Sequence, residues 1–231
     1  MPNSRLSDLD VVILAGGQGT RIRHLLPGGM PKYMADVNGT PFISILLQHL
    51  SPGSFRRFIL SMGHAEVFNK CFSLHDLVNA LPVRHSVEMF CEETPLGTAG
   101  AVRYIAGRCE VFAGFLSPRL SDPFFIFNGD TFCDVDYAAM LDYHLRSKSV
   151  VIVAHDDWMR HVGTFVASRR LIDLIPETGG KYDMEELFTL LGKRRESVGW
   201  FRTEAKYWDI GTPEGLETFR REEPWKRTKG R

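Results

Sequence analysis

The chain has 231 residues, 44% of them hydrophobic and 24% charged, the balance of a soluble globular protein with a sizeable core rather than a disordered one. Lysine plus arginine number 28 and aspartate plus glutamate number 28, so no overall field exists to recruit nucleic acid or a membrane surface. Any polyanionic ligand must be held locally.

Residues 1–9 read as an N-terminal extension with no apolar run of signal-peptide length, and no later stretch approaches a membrane span. The first element is Val11-Val12-Ile13-Leu14, short, β-branched and closed by Gly16-Gly17, as a buried parallel strand should be. A helical pattern follows over Phe42 to Leu50, then a strand at Phe58 to Ser61, a helix near Glu66 to Phe72 and a strand near Val83 to Glu88. This alternation predicts βαβ units. Further on, the pattern predicts a helix at Thr98 to Ala106, a buried strand at Phe124 to Phe127, a helix at Tyr137 to Arg146 and a strand at Val150 to Ala154. Thr164 to Ala167 reads as a further strand, Met184 to Leu191 as a helix, Val198 to Phe201 as a strand, and Pro213 opens a last helix at the position proline favours. Residues 10–223 are thus one domain, and 224–231 a basic, solvated tail. The four cysteines, Cys71, Cys91, Cys109 and Cys133, form no C-x-x-C pair and read as free, buried thiols, which suits a reducing cytoplasm.

The chemistry begins at Leu14-Ala15-Gly16-Gly17-Gln18-Gly19-Thr20-Arg21, three glycines at the carboxyl end of the first strand, where open α/β sheets bind ligands. A dinucleotide fingerprint would need glycine where Ile22 stands, and a P-loop would need Gly-Lys-Ser/Thr; both are absent. A glycine turn without a ligand is the plain alternative. Against it, Lys32 follows Arg21 by eleven residues, in Met30-Pro31-Lys32-Tyr33-Met34. Arginine grips phosphate oxygens bidentately and lysine acts as a point charge, so the pair suits a triphosphate.

With these residues the sequence resembles the sugar 1-phosphate nucleotidyltransferase family, marked by G-G-x-G-T-R-L followed by P-K-P. Three further segments extend the resemblance in family order. Glu92-Glu93-Thr94-Pro95-Leu96-Gly97-Thr98-Ala99-Gly100 looks like the nucleobase loop in the form common among guanylyltransferases for mannose and heptose phosphates. Phe127-Asn128-Gly129-Asp130 matches the strand ending in G-D, and Tyr207-Trp208-Asp209-Ile210-Gly211-Thr212-Pro213 matches the late W-x-D-I-G-T-P motif. Each fragment alone reads equally as a turn or a helix cap.

The resemblance implies a single-domain α/β fold, a Rossmann-like, mostly parallel sheet sandwiched by helices and similar to GT-A folds. It implies transfer of a nucleotidyl group from a nucleoside triphosphate, GTP above all, to a mannose or heptose 1-phosphate, with pyrophosphate released and a GDP-sugar formed. Ala15, Gly16, Gly17, Gly19, Thr20, Glu92, Gly97 and Thr98 would bind the nucleotide, with Glu92 reading the base. Arg21 would hold the leaving pyrophosphate and Lys32 the charge near the α-phosphate. Asp130 and Asp209 would share one Mg²⁺, the hard cation that two carboxylates, phosphates and water suit. A homo-oligomer is left open, with no nucleic acid and no membrane as partner.

The chain also departs from the family. An E-K pair usually precedes the glycine-containing strand for which Val162-Gly163-Thr164-Phe165-Val166 stands here, and Val150 to His161 holds none. About thirty residues, one supersecondary unit, are missing on the sugar side. His155, Asp156, Asp157, Trp158, Arg160 and His161 are the candidates to replace it, against an exposed polar turn. Two rival functions stay open at this point: a nucleotide-sugar-binding regulatory subunit, and a transferase acting on a non-sugar phosphate such as phosphocholine.

Overall fold

The run at Val11 forms the middle of the sheet. In the computed structural model, which describes residues 6–17, 19–51, 55–63, 86–111, 119–177 and 180–227, it is strand β1 (Asp10–Leu14), and all five of its residues are buried. The hairpin β2 (Asp36–Val37) and β3 (Thr40–Pro41) leads into helix α1 (Phe42–Leu50), then β4 (Arg57–Gly63), β5 (Ser86–Glu92) and helix α2 (Gly97–Val111). Next come β6 (Phe124–Asn128), β7 (Thr131–Cys133), α3 (Tyr137–Ser147), β8 (Val151–His155), β9 (His161–Ala167) and α4 (Arg170–Leu174). The chain closes with α5 (Met184–Lys193), β10 (Val198–Arg202), β11 (Tyr207–Asp209), α6 (Pro213–Glu222) and α7 (Pro224–Arg227).

Seven strands form one sheet in the order β10-β8-β9-β6-β1-β4-β5. β1 pairs in parallel with β4 and β6, β4 with β5, and β8 with β10; β9 alone runs antiparallel, against both β6 and β8. Because side chains alternate across a strand, each central strand feeds two cores. Val11, Ile13, Phe125 and Phe127 pack on one face, whereas Val12, Leu14, Phe124 and Ile126 pack on the other. Continuous apolar runs are the result, each fully buried large side chain contributing roughly 1.5–3 kcal/mol. On the first face Phe55, Phe125, Phe127 and Tyr137 meet mainly edge to face, with centroids 5.3 to 6.1 Å apart for Phe55–Phe125 and Phe125–Tyr137.

Several elements differ from the sequence reading. β5 extends to Glu92, because Phe90, Cys91 and Glu92 continue the ladder to Ser61, Met62 and Gly63; the expected residues 83–85 lie outside the described region, as does the helix expected at 66–72. The antiparallel pair β7–β11 was not expected at all. The described parts of the two expected appendages, residues 6–9 and 224–227, pack on the domain. Leu6 and Leu9 belong to the core, Pro224 is buried, and the Trp225 ring lies 4.9 Å from that of Phe219, so residues 224–227 dock on the domain instead of trailing in solvent. Of the cysteines, Cys133 is a buried free thiol whose pKa burial, helped by Asp134, pushes up to about 12; Cys91 is free and half-buried. Cys71 and the side chain of Cys109 lie outside the described residues.

The amino edge of the sheet is closed by charge. Asp10 is 0% exposed, and its carboxylate accepts from Arg56 at 2.8 and 2.6 Å, from Arg57 at 3.2 and 2.8 Å, and from the Ser121 N–H at 2.9 Å. Arg57, itself 3% exposed, reaches on to Glu88 at 3.0 Å. A buried carboxylate is tolerable here only because every lone-pair direction meets a donor.

Candidate functional site

At the opposite, carboxyl edge the ends of β1, β5 and β6 surround a cavity of about 610 Å³, whose wall includes Leu14, Glu92 and Asn128. Crevices at strand ends of this kind are the usual ligand sites of open α/β sheets. One wall is the glycine turn after β1, with Gly16, Gly17, Gly19, Thr20 and Arg21 facing the cavity together with Lys32. Gly19 has φ +59°, and a β-carbon on it would stand 2.9 Å from Lys32 Cβ; one on Gly17 would stand 3.0 Å from Lys32 Cε. The turn is therefore glycine because it lies along the lysine stem, and this contact fixes where the ammonium sits. Ala15 is buried beneath the turn and does not reach the cavity wall.

The Lys32 ammonium pairs with Asp130 Oδ2. Asp130 follows β6, and its carbonyl accepts from Ile210 N at 2.9 Å, directly after β11. Across the β7–β11 ladder Asp209 stands opposite Thr131, which brings the G-D turn and the late motif together although they are far apart in the chain. Gly211 marks their meeting point. A methyl group there would stand 2.8 Å from Asp209 Oδ1, 3.2 Å from Arg21 Nη2 and 3.4 Å from Asp130 Oδ2. The two carboxylate oxygens are thus no more than about 6 Å apart, against the roughly 4 Å that two oxygens bound near 2 Å to one ion can span at most, so at the upper limit direct sharing of an ion requires a side-chain rotation. Among the described residues no group of three or more His, Cys, Asp or Glu could hold a metal, so a bound ion would draw its other ligands from phosphate and water.

The other wall is built by the start of α2. Gly97 and Thr98 line it, with Pro95 and Glu92 behind. Glu92 is less free than its expected role requires: it is 7% exposed, Ser61 Oγ donates to its Oε1 at 2.8 Å, and the Leu96 N–H donates to its Oε2 at 3.1 Å. Each oxygen keeps one further lone pair, so Glu92 both shapes the loop and presents acceptors to the cavity.

The sugar-side candidates of the hairpin β8–β9 separate into two kinds. His155 and Asp156 are inward and structural: His155 Nδ1 bonds the Asp156 carbonyl at 2.7 Å, and Asp156 accepts from the N–H groups of Trp158 and Arg160 and from Arg160 Nε. Asp157 is tied to Arg202 at 2.6 Å, and His161 lies 3.9 Å from Glu185. Trp158 is 76% exposed, with the Arg160 guanidinium 5.2 Å from its ring. None of these six lines the cavity with Arg21 and Lys32. The residues that do, and that sequence reasoning missed, are Lys181 and Asp183. A readable signal existed for Asp183, the D-x-x-E capping box with Glu186 that starts α5.

The sequence model described as Nucleotidyl transferase matches residues 10–162. The chain is 28% identical to the mannose-1-phosphate guanylyltransferase of Mycobacterium tuberculosis over 89% of its own length and 62% of that protein's. To the D-glycero-alpha-D-manno-heptose 1-phosphate guanylyltransferase of Campylobacter jejuni it is 27% identical over 57% of its length and 52% of that protein's. The chain therefore spans less than two thirds of the length of these curated relatives. A crystal structure of HddC from Yersinia pseudotuberculosis superposes with TM-score 0.72 at 27% identity, covering 93% of this chain and 99% of that one, and another of the same protein complexed with GMP-PN superposes with TM-score 0.71.

Proposed function

Because the chain belongs to the nucleotidyl transferase family, we propose that it is a sugar 1-phosphate guanylyltransferase. It transfers a guanylyl group from GTP to a mannose or heptose 1-phosphate, forms a GDP-sugar and releases pyrophosphate. The observation that carries this reading is the convergence of Arg21, Asp130 and Asp209 on Gly211, with Lys32 paired to Asp130, in the wall of a cavity at the strand ends. Relatives with the same reaction in their names, and a like fold crystallised with GMP-PN, support it.

In this reaction an anionic oxygen of the sugar phosphate attacks the α-phosphorus and pyrophosphate leaves. The attacking atom is already an anion, so no general base is required; no histidine is among the described residues of the cavity wall. Arg21 binds the departing pyrophosphate, the glycine turn approaches the triphosphate with its N–H groups, and Lys32 offsets charge developing near the α-phosphate. Asp130 and Asp209 have the donor chemistry for Mg²⁺, which when bound would neutralise phosphate charge between them. The free thiols of Cys91 and Cys133 fit a reducing compartment such as the cytoplasm, and no helix among the described residues is long and apolar enough to cross a membrane.

The test is a panel of four nucleoside triphosphates against mannose 1-phosphate and a manno-heptose 1-phosphate, read by pyrophosphate release. GTP is expected to lead, and GTP binding without turnover on any acceptor would overturn the reading in favour of a regulatory subunit. Glu92 makes a finer prediction. Guanine presents two adjacent N–H donors that a carboxylate accepts together, so Glu92→Gln should lower the GTP-to-UTP ratio of kcat/KM by about tenfold, the loss of one charge-assisted hydrogen bond. An unchanged ratio beside a general loss of activity would leave Glu92 with only its structural bonds to Ser61 and Leu96.

A further inference from the structure

The cavity must hold two anions at once: a triphosphate, and an acceptor phosphate of about −2 charge. Its first wall supplies Arg21 and Lys32, and Lys32 is already paired with Asp130. A helix N-terminus could serve the second anion, since its first N–H groups have no partner inside the helix. Here three of the first four are already taken. Thr98 N donates to Asp183 Oδ1 at 3.0 Å, and Ala99 N and Gly100 N both donate to the Tyr182 carbonyl at 3.0 Å. The start of α2 is thus stopped by the segment before α5, and that same segment places a third cation, Lys181, in the cavity wall. Among the described residues lining the cavity, the cations are Arg21, Lys32 and Lys181.

We propose that Lys181 is the acceptor-side phosphate ligand, binding the phosphate of the sugar 1-phosphate while Arg21 and Lys32 hold the nucleotide. The inference rests on the transfer reaction proposed above. Asp183 positions it: Oδ2 accepts from the Lys181 ammonium at 2.7 Å while Oδ1 is fixed by Thr98 N. One ammonium hydrogen is used in this bond, which leaves two for a phosphate. The Asp183 carboxylate beside it also holds the lysine pKa above its ordinary value, so the charge persists at any working pH. Lys181 lies beyond the matched family region of residues 10–162 and is brought to the cavity by tertiary structure alone.

The experiment compares the parent chain with Lys181→Met and Lys181→Arg. Turnover is measured with GTP and mannose 1-phosphate or manno-heptose 1-phosphate, and binding by calorimetric titration of GMP-PN and, separately, of mannose 1-phosphate onto the GMP-PN complex. Lys181→Met is expected to raise the acceptor KM and Kd about tenfold or more, with GMP-PN affinity changed less than twofold and much of the loss restored in Lys181→Arg. Acceptor KM and Kd within twofold of the parent would overturn the proposal, as would equal weakening of nucleotide and acceptor, the mark of a merely structural role at the α2 start. If the parent chain shows no turnover, the transfer reading fails by itself. The sugar phosphate titration still decides whether Lys181 holds a phosphate, and absence of acceptor binding to the parent complex counts against it.

Discussion

Asp130→Asn is expected to lower kcat by about 10³-fold or more while leaving the fold intact. The substitution keeps the side-chain shape but removes the charge on which Lys32 is paired and half of the carboxylate pair around Gly211. Its structural bond is spared, because Ile210 N is accepted by the Asp130 main-chain carbonyl and not by the carboxylate. Pyrophosphate release under saturating substrates gives the rate, and a thermal melt within a few degrees of the parent establishes the fold. A variant that keeps a tenth of the parent rate would remove Asp130 from the machinery. The loss should exceed that from Glu92→Gln, since one variant removes charge from the reaction centre and the other from base recognition.

The largest effect on stability belongs to the other edge of the sheet. Asp10→Ala should destabilise the chain by about 3–5 kcal/mol, since removing one partner of a buried ion pair leaves the other charged and uncompensated. Arg57 would lose its buried carboxylate partner while keeping Glu88, and the Ser121 N–H would lose its acceptor. Urea denaturation measures the change, and a shift below about 1 kcal/mol would make this cluster no more than a surface pair. The folded fraction should keep its turnover, because the site lies at the carboxyl ends of the strands. The pH dependence has a definite sign. Burial alone would raise the Asp10 pKa, but hydrogen bonds from Arg56 and Arg57 outweigh it and hold the value below the ordinary one. The stability Asp10 contributes is therefore complete above the unfolded pKa of about 4, and is lost as pH falls through the lower folded value.

How much of this could be read from the chain depended on whether a signal was local. Val11 to Leu14 and Phe124 to Phe127 announce buried strands because both their faces are covered, and no amphipathic helix shows such a run. The antiparallel sense of β9 could not be read, since a strand buried on both faces has the same composition whichever way it runs. β7 and β11, three residues each, are too short for any period and exist through their pairing. The site divides in the same way. Arg21, Lys32, Asp130 and Asp209 sit in recognisable motifs, and the structure brings them together. Lys181 and Asp183 carry no motif for a cavity; Asp183 is legible as the cap of its own helix, but its bond to Thr98 spans 85 residues. Polarity in the hairpin from His155 to His161 serves the turn, with Asp156 satisfying the N–H groups that the reversal exposes.

The fastening between the start of α2 and the segment before α5 has a consequence for which residues the chain could exchange without loss. At Tyr182 both contacts are main-chain: its N–H donates to the Leu96 carbonyl at 2.8 Å and its carbonyl receives Ala99 and Gly100. Those bonds exclude only proline, which has no N–H to give, whereas the ring packs against the second core and its hydroxyl donates to the Glu186 carbonyl at 3.3 Å, so the side chain still favours an apolar or aromatic residue. Its neighbour is held far more strictly. Position 183 must cap α5, receive Thr98 N and meet Lys181, and it meets Gly97 so closely that a β-carbon on that glycine would stand 2.8 Å from Asp183 Oδ1. A saturation library across residues 181–184, selected for folded and active protein, should tolerate aliphatic and aromatic residues at 182 while returning little but aspartate at 183.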